Sequence, residues 1–80
     1  MTEASIDYQR LIDEAQATVD HIHNAGRSVP EWALTEVTLA KNVLEAHERG
    51  EDPSHALGVL RTFQDGNQEE KEAFLEDPAL

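Results

Sequence analysis

Apolar and polar positions alternate along this chain with helical spacing, most clearly between Pro30 and Arg49. At about 100° per residue, the apolar residues of this stretch fall into two rows. One row is Ala33, Val37, Ala40 and Leu44, and the other is Trp32, Leu39, Val43 and Ala46. Together the rows cover about half of the helix circumference, whereas a helix with one partner has a stripe roughly 100° wide. The pattern therefore predicts a central helix that is buried on two sides.

The segment before it has a narrower apolar stripe, which predicts a first helix from about Ser5 to Ala25 with one partner surface. The stripe consists of Tyr8, Leu11, Ile12, Ala15, Val19 and Ile22. Gly26 is suited to the left-handed position that ends a helix. Because only a short loop follows, the first and central helices are expected to form an antiparallel hairpin.

After Gly50 the pattern predicts two short helices, at 53–64 and 68–76. Asp52 and Pro53 are typical of a helix start. Asp65-Gly66 is interpreted as the break between the two helices. Gly58, inside the first of them, either weakens that helix or marks the close approach of another backbone.

These elements predict an all-α fold with a single small domain, residues 1–80. A hairpin at 5–49 is followed by the two short helices. With no cysteine, one tryptophan, one tyrosine and two phenylalanines, the chain has no disulfide and few large core residues. We therefore expect the bundle to be completed by a homodimer, in which the second row of the central helix contacts a second copy.

The N-terminal residues include acids where a signal peptide has bases, and no apolar stretch follows them. No stretch approaches the roughly 20 apolar residues that a membrane helix requires. A cytoplasmic protein without membrane contact is therefore predicted.

Charge narrows the possible partners. Seventeen acidic residues against six basic ones give a formal net charge of −11. Direct binding to nucleic acid requires a basic patch, so it is not expected. The acidity is open to two interpretations: a solubility surface, including one adapted to high salt, or a surface that docks on a basic partner.

Histidine offers little metal chemistry here. His21 and His23 are two residues apart, so on a helix they point to nearly opposite sides. Asp52 and His55 have a spacing seen in metal sites, but capping of a helix explains Asp52 better. No metal and no cofactor are predicted.

Glu36 and His47 lie between the two apolar rows of the central helix. Eleven residues separate them, about 16 Å along one helix, so they do not meet within it. Across an antiparallel pair of central helices, Glu36 of one chain meets His47 of the other, as a two-fold dimer requires. Alternatively, both side chains reach solvent at the edge of the hairpin.

Trp32 has two interpretations, as the cap on the end of the hairpin core or as a binding anchor, since tryptophan is enriched in interface hot spots. The predicted protein interface consists of Trp32, Glu36, Leu39, Val43, Ala46 and His47.

No nucleophile motif, phosphate-binding glycine loop or framed carboxylate pair is present, so no enzyme is predicted. The function expected is that of a small acidic regulatory or inhibitory protein that binds another protein. One alternative is a nucleic-acid mimic that blocks a basic DNA- or RNA-binding protein. Its acidic face would consist of Asp7, Asp13, Glu14 and Asp20. The other alternative is an accessory subunit of a larger complex.

Overall fold

The computed structural model describes residues 7–77, which form three helices and no strand. The helices are α1 (Tyr8–Asn24), α2 (Glu31–Glu48) and α3 (Ser54–Leu75). The all-α prediction is confirmed. The predicted first residue of the hairpin, Ser5, lies outside the described residues.

Glycine ends the first two helices, as the sequence predicts. Gly26 has a φ of 79°, and the N–H of Arg27 donates to the carbonyl of Ile22 at 3.2 Å. Gly50 ends α2 in the same way, with a φ of 78°. This is the Schellman arrangement, which satisfies carbonyls at the end of a helix.

The helix α3 is continuous, and the prediction of two short helices at 53–64 and 68–76 is wrong. Gly66 lies inside α3 without interrupting it. The helix has docking residues on both sides of this position: Leu60 is 1% exposed and Phe74 packs on the Trp32 ring. Contact at both ends offsets the roughly 1 kcal/mol that a glycine costs a helix.

The start of α3 is held by Asp52, close to the predicted position. The N–H of Ser54 donates to Asp52 Oδ1 at 3.0 Å. Hydrogen bonds from the backbone and side chain of Ser54 lower the pKa of Asp52 below its ordinary value of 3.8, because they stabilise the charged carboxylate.

The core is organised around α2, which packs against both α1 and α3, while α1 and α3 make no close backbone contact within residues 7–77. Two buried apolar clusters lie along it. One consists of Ile22, Trp32 and Ala33, and the other of Ala40, Val43 and Leu60. The protein thus has a central helix that packs against both other helices, and α1 and α3 each contribute side chains to both clusters.

Replacement of each of the four glycines by alanine is expected to change the free energy of unfolding, lowering it at two positions and raising it at the other two. Gly26→Ala and Gly50→Ala place a side chain at positive φ and should each lower the free energy of unfolding by about 1 kcal/mol. Gly58→Ala and Gly66→Ala lie in α3, where an added Cβ meets no atom within 4 Å, and should each raise it by about 0.5–1 kcal/mol. Urea unfolding followed by circular dichroism measures all four.

Gly66→Ala is the informative member of the set. A loss of stability there would mean that the chain needs a non-helical conformation at Gly66, contrary to a continuous α3. Gly58→Ala serves as its matched control, since it makes the same change in the same helix.

Candidate functional site

Most of the interface residues predicted on α2 are buried within the folded monomer. In order they are Trp32 (buried), Glu36 (buried), Leu39 (half-buried), Val43 (buried), Ala46 (buried) and His47 (exposed). The helix α3 covers this side of α2: Val43 shares a cluster with Leu60, and the Trp32 and Phe74 rings pack edge to face with centroids 5.9 Å apart. In this fold α3 occupies the side of α2 where a second copy of the chain was predicted.

Glu36 is the single buried charged residue among those described, with 4% of its surface exposed. Its Oε2 accepts a hydrogen bond from Gln64 Nε2 at 3.0 Å and lies 3.5 Å from Lys71 Nζ. Both partners belong to α3. Within one chain, Glu36 therefore has partners other than the predicted His47.

His47 lies at the far end of α2, where its ring is 4.7 Å from the ring of Tyr8 at the start of α1. It remains exposed. The structure thus separates Glu36 and His47 and gives each an intrachain contact.

The second oxygen of Glu36, Oε1, is buried and accepts no hydrogen bond from residues 7–77. Burying a carboxylate costs several kcal/mol unless it is paired and hydrogen-bonded. Gln64 and Lys71 offset part of this cost, so α3 is docked through a polar contact as well as an apolar one.

The carboxylates predicted as an acidic partner face on α1 are exposed, and each is bonded within its own helix. The pairs are Asp7 Oδ1 with the Arg10 N–H (3.1 Å), Asp13 with Gln9 (3.0 Å), Glu14 with Arg10 (3.0 Å) and Asp20 with Gln16 (3.1 Å). Their acceptor oxygens are already partly engaged.

A second acidic surface lies on α3 and its C-cap residue, Glu76. Asp65, Glu69, Glu72 and Glu76 are all exposed and fall within about 60° of one another over a length of about 16 Å. We call these four residues the α3 acidic stripe. These four residues are three or four positions apart in the sequence, so they share one face only if the helix is continuous. The predicted break at Asp65-Gly66 therefore concealed the stripe.

The bases of α3 do not neutralise this stripe by direct ion pairs. Lys71 is turned toward the buried Glu36, and Arg61 forms no ion pair with residues 7–77 although it is exposed. The stripe thus presents carboxylates to solvent, with Lys71 directed inward and Arg61 exposed one turn before Asp65. Glu72 also accepts a hydrogen bond from Gln68 within the helix.

A shallow groove with a volume of about 460 Å³ opens between the start of α2 and the middle of α3. Its lining, which we call the Trp32 groove, consists of Pro30, Glu31, Trp32, Thr35, Phe63, Asn67 and Glu70. Of these residues, the sequence predicts only Trp32 as a site residue. The groove is formed by two segments, 30–35 and 63–70, and no sequence pattern links one segment to the other.

His21 and His23 are exposed at the end of α1. Across the part of the chain that the structure describes, no three His, Asp or Glu side chains are grouped to hold a metal ion.

Comparison of the chain with protein-family models, with curated proteins and with solved structures finds no match. Among α1, α2 and α3, none is both long and apolar enough to cross a membrane. A function for the chain therefore has to be inferred from the arrangement of its own residues.

The contact between Lys71 and Glu36 can be tested by stability measurements. Lys71→Met removes a partner of a buried carboxylate, and because Lys71 is itself 30% exposed we expect a loss of about 2 kcal/mol, or about 10 °C in Tm. The double variant Glu36→Leu with Lys71→Met removes both charges and should recover most of that loss. Thermal and urea unfolding measure both.

Lys41→Met is the matched control, since Lys41 is exposed and makes no ion pair with residues 7–77. Its effect should stay below about 0.5 kcal/mol. Equal effects of the two lysine variants would show that the Glu36 contact contributes nothing to α3 docking.

Proposed function

We propose that this protein is a small, non-catalytic regulatory or inhibitory protein that acts by docking its acidic surface on a basic surface of another protein. The observation that supports this most directly is the α3 acidic stripe, which extends along an exposed helix face beside an inward-turned Lys71. Complementary charge speeds encounter and selects among partners, even where each exposed ion pair contributes less than about 1 kcal/mol.

Charge density favours a protein partner over mimicry of nucleic acid. The stripe carries one carboxylate per about 5 Å of helix. Duplex DNA carries one phosphate per about 1.7 Å of axis. A groove that contacts both strands of DNA would therefore find about a third of the charge it expects along this face, and a groove that follows one strand about two-thirds.

The helices α1 and α2 form an antiparallel hairpin in this proposal, supported by the contact of Tyr8 with His47 at opposite ends of the two helices. The acting species is a monomer, supported by the burial of Trp32 and Val43 under α3. A homodimer through the second row of α2 is the alternative, and it requires α3 to leave α2. The cytoplasm stays the proposed compartment, on the sequence grounds given above.

The mass in solution tests the monomer. Light scattering after size exclusion should give a mass of 8.9 kDa. The isolated chain should also be folded and unfold cooperatively. Twice that mass would support the predicted homodimer instead. A chain that is unfolded alone would favour the accessory subunit of a larger complex.

Partner docking is tested by neutralising each acidic surface in turn. The stripe variant combines Asp65→Asn, Glu69→Gln, Glu72→Gln and Glu76→Gln, and the α1 control combines Asp7→Asn, Asp13→Asn, Glu14→Gln and Asp20→Asn. Each changes the charge by the same amount. Wild-type and variant chains are immobilised, and proteins captured from an extract of the source cells are quantified by mass spectrometry.

We expect a basic protein that is captured by wild type and by the α1 control but lost with the stripe variant. Its binding should weaken steeply as salt is raised, because exposed charges are screened over about 10 Å at 0.1 M. Equal capture by both variants would refute a role for the stripe. Loss with the α1 control alone, together with displacement by duplex DNA, would instead support nucleic-acid mimicry.

A further inference from the structure

The Trp32 groove has an apolar base between two acidic residues. Pro30, Trp32 and Phe63 supply the apolar surface, and the exposed side chains of Glu31 and Glu70 supply the carboxylates. One carboxylate lies on α2 and the other on α3, so the groove exists only while α3 is docked.

The base of the groove is held in place by packing. The Trp32 ring meets Phe74 edge to face, with an interplanar angle of 84°, and is 8% exposed. Phe63 is only half-buried. Because the indole of Trp32 is packed on Phe74, it is ordered before a partner binds, which lowers the entropic cost of binding.

From this arrangement, we propose that the Trp32 groove binds a protein segment that carries a lysine or arginine beside an aliphatic or aromatic side chain. The apolar side chain packs on Trp32 and Phe63, and the cation lies near Glu70 and Glu31. The proposal rests on the proposed function, since it assigns a docking position to the basic partner.

Charge and shape both favour this occupant. Two carboxylates repel phosphate and other anions, which argues against nucleic acid. The groove is open to solvent, and its volume of about 460 Å³ is near the lower end of the range for small-molecule pockets, about 300–1,000 Å³. An open, amphipathic groove suits a side chain presented by a partner's surface better than an enclosed ligand.

Short synthetic peptides test the groove without knowledge of the partner. The first peptide combines lysine and leucine, the second replaces leucine by serine, and the third replaces lysine by glutamine. Trp32 is the one tryptophan of the chain, so its fluorescence and its indole N–H signal in NMR report on the groove directly.

We expect the first peptide to bind about tenfold more tightly than either of the others, because it alone makes both the apolar and the charged contact. Its binding should shift the signals of Trp32, Thr35 and Asn67. Glu70→Lys should weaken it about fivefold. Glu70 is chosen over Glu31 because Glu31 lies in the first turn of α2, where a lysine would also disturb the helix dipole.

Glu48→Lys is the matched control, an identical change at an exposed position in the last turn of α2, and should leave peptide binding unchanged. Equal binding of the first and second peptides, or shifts along the α3 acidic stripe without Trp32, would overturn the groove proposal. Neither result depends on the capture of a partner by the stripe, so the groove proposal can fail while the proposed function holds, and the reverse.

The groove proposal would also be overturned if the NMR signals of the groove shifted when the protein alone was concentrated. That result would identify a second copy of the chain as the occupant.

Discussion

The fold depends on one constraint, that α2 has to be covered on two sides. Its apolar rows place Ala33, Ala40 and Val43 where no solvent reaches them. A single neighbouring helix covers only part of this surface, and the chain supplies two, α1 and α3, which both contribute side chains to the two apolar clusters. The hydrophobic effect thus determines the number of helices, and the loops need only be long enough to return the chain.

Between the two apolar clusters, the contact of α3 with α2 becomes polar. Glu36 accepts a hydrogen bond from Gln64 and lies near Lys71, two α3 residues seven positions apart. Sliding α3 along α2 by one turn would move both of these donors away from the buried carboxylate, and a buried carboxylate that loses its partners is costly. The polar contact therefore fixes the position of α3 and, with it, the relation between Phe63 and the start of α2.

Sequence periodicity was sufficient to predict α1 and α2, because their inner faces are apolar apart from Glu36 and glycines with positive φ mark their ends. It was insufficient for α3. The inner face of that helix passes through Gln64 and Lys71, so an apolar pattern stops where the helix does not. Two short helices in place of α3 would leave the second apolar row of α2 exposed, which is why the sequence analysis predicts a homodimer that covers this row. The Trp32 groove joins residues more than thirty positions apart, such as Trp32 and Asn67, which no local pattern reveals.

The helix α3 is the longest of the three helices and also the one with the fewest buried residues. It carries Gly58 and Gly66 in its interior, and Leu60 is its one buried residue. Regions with few buried apolar contacts open at the lowest free energy. Release of α3 as a unit would remove the groove and expose the second row of α2 in the same step. Any ligand that bridges α2 and α3 therefore acts as a clamp on this opening, and its binding energy appears as added stability of the whole chain.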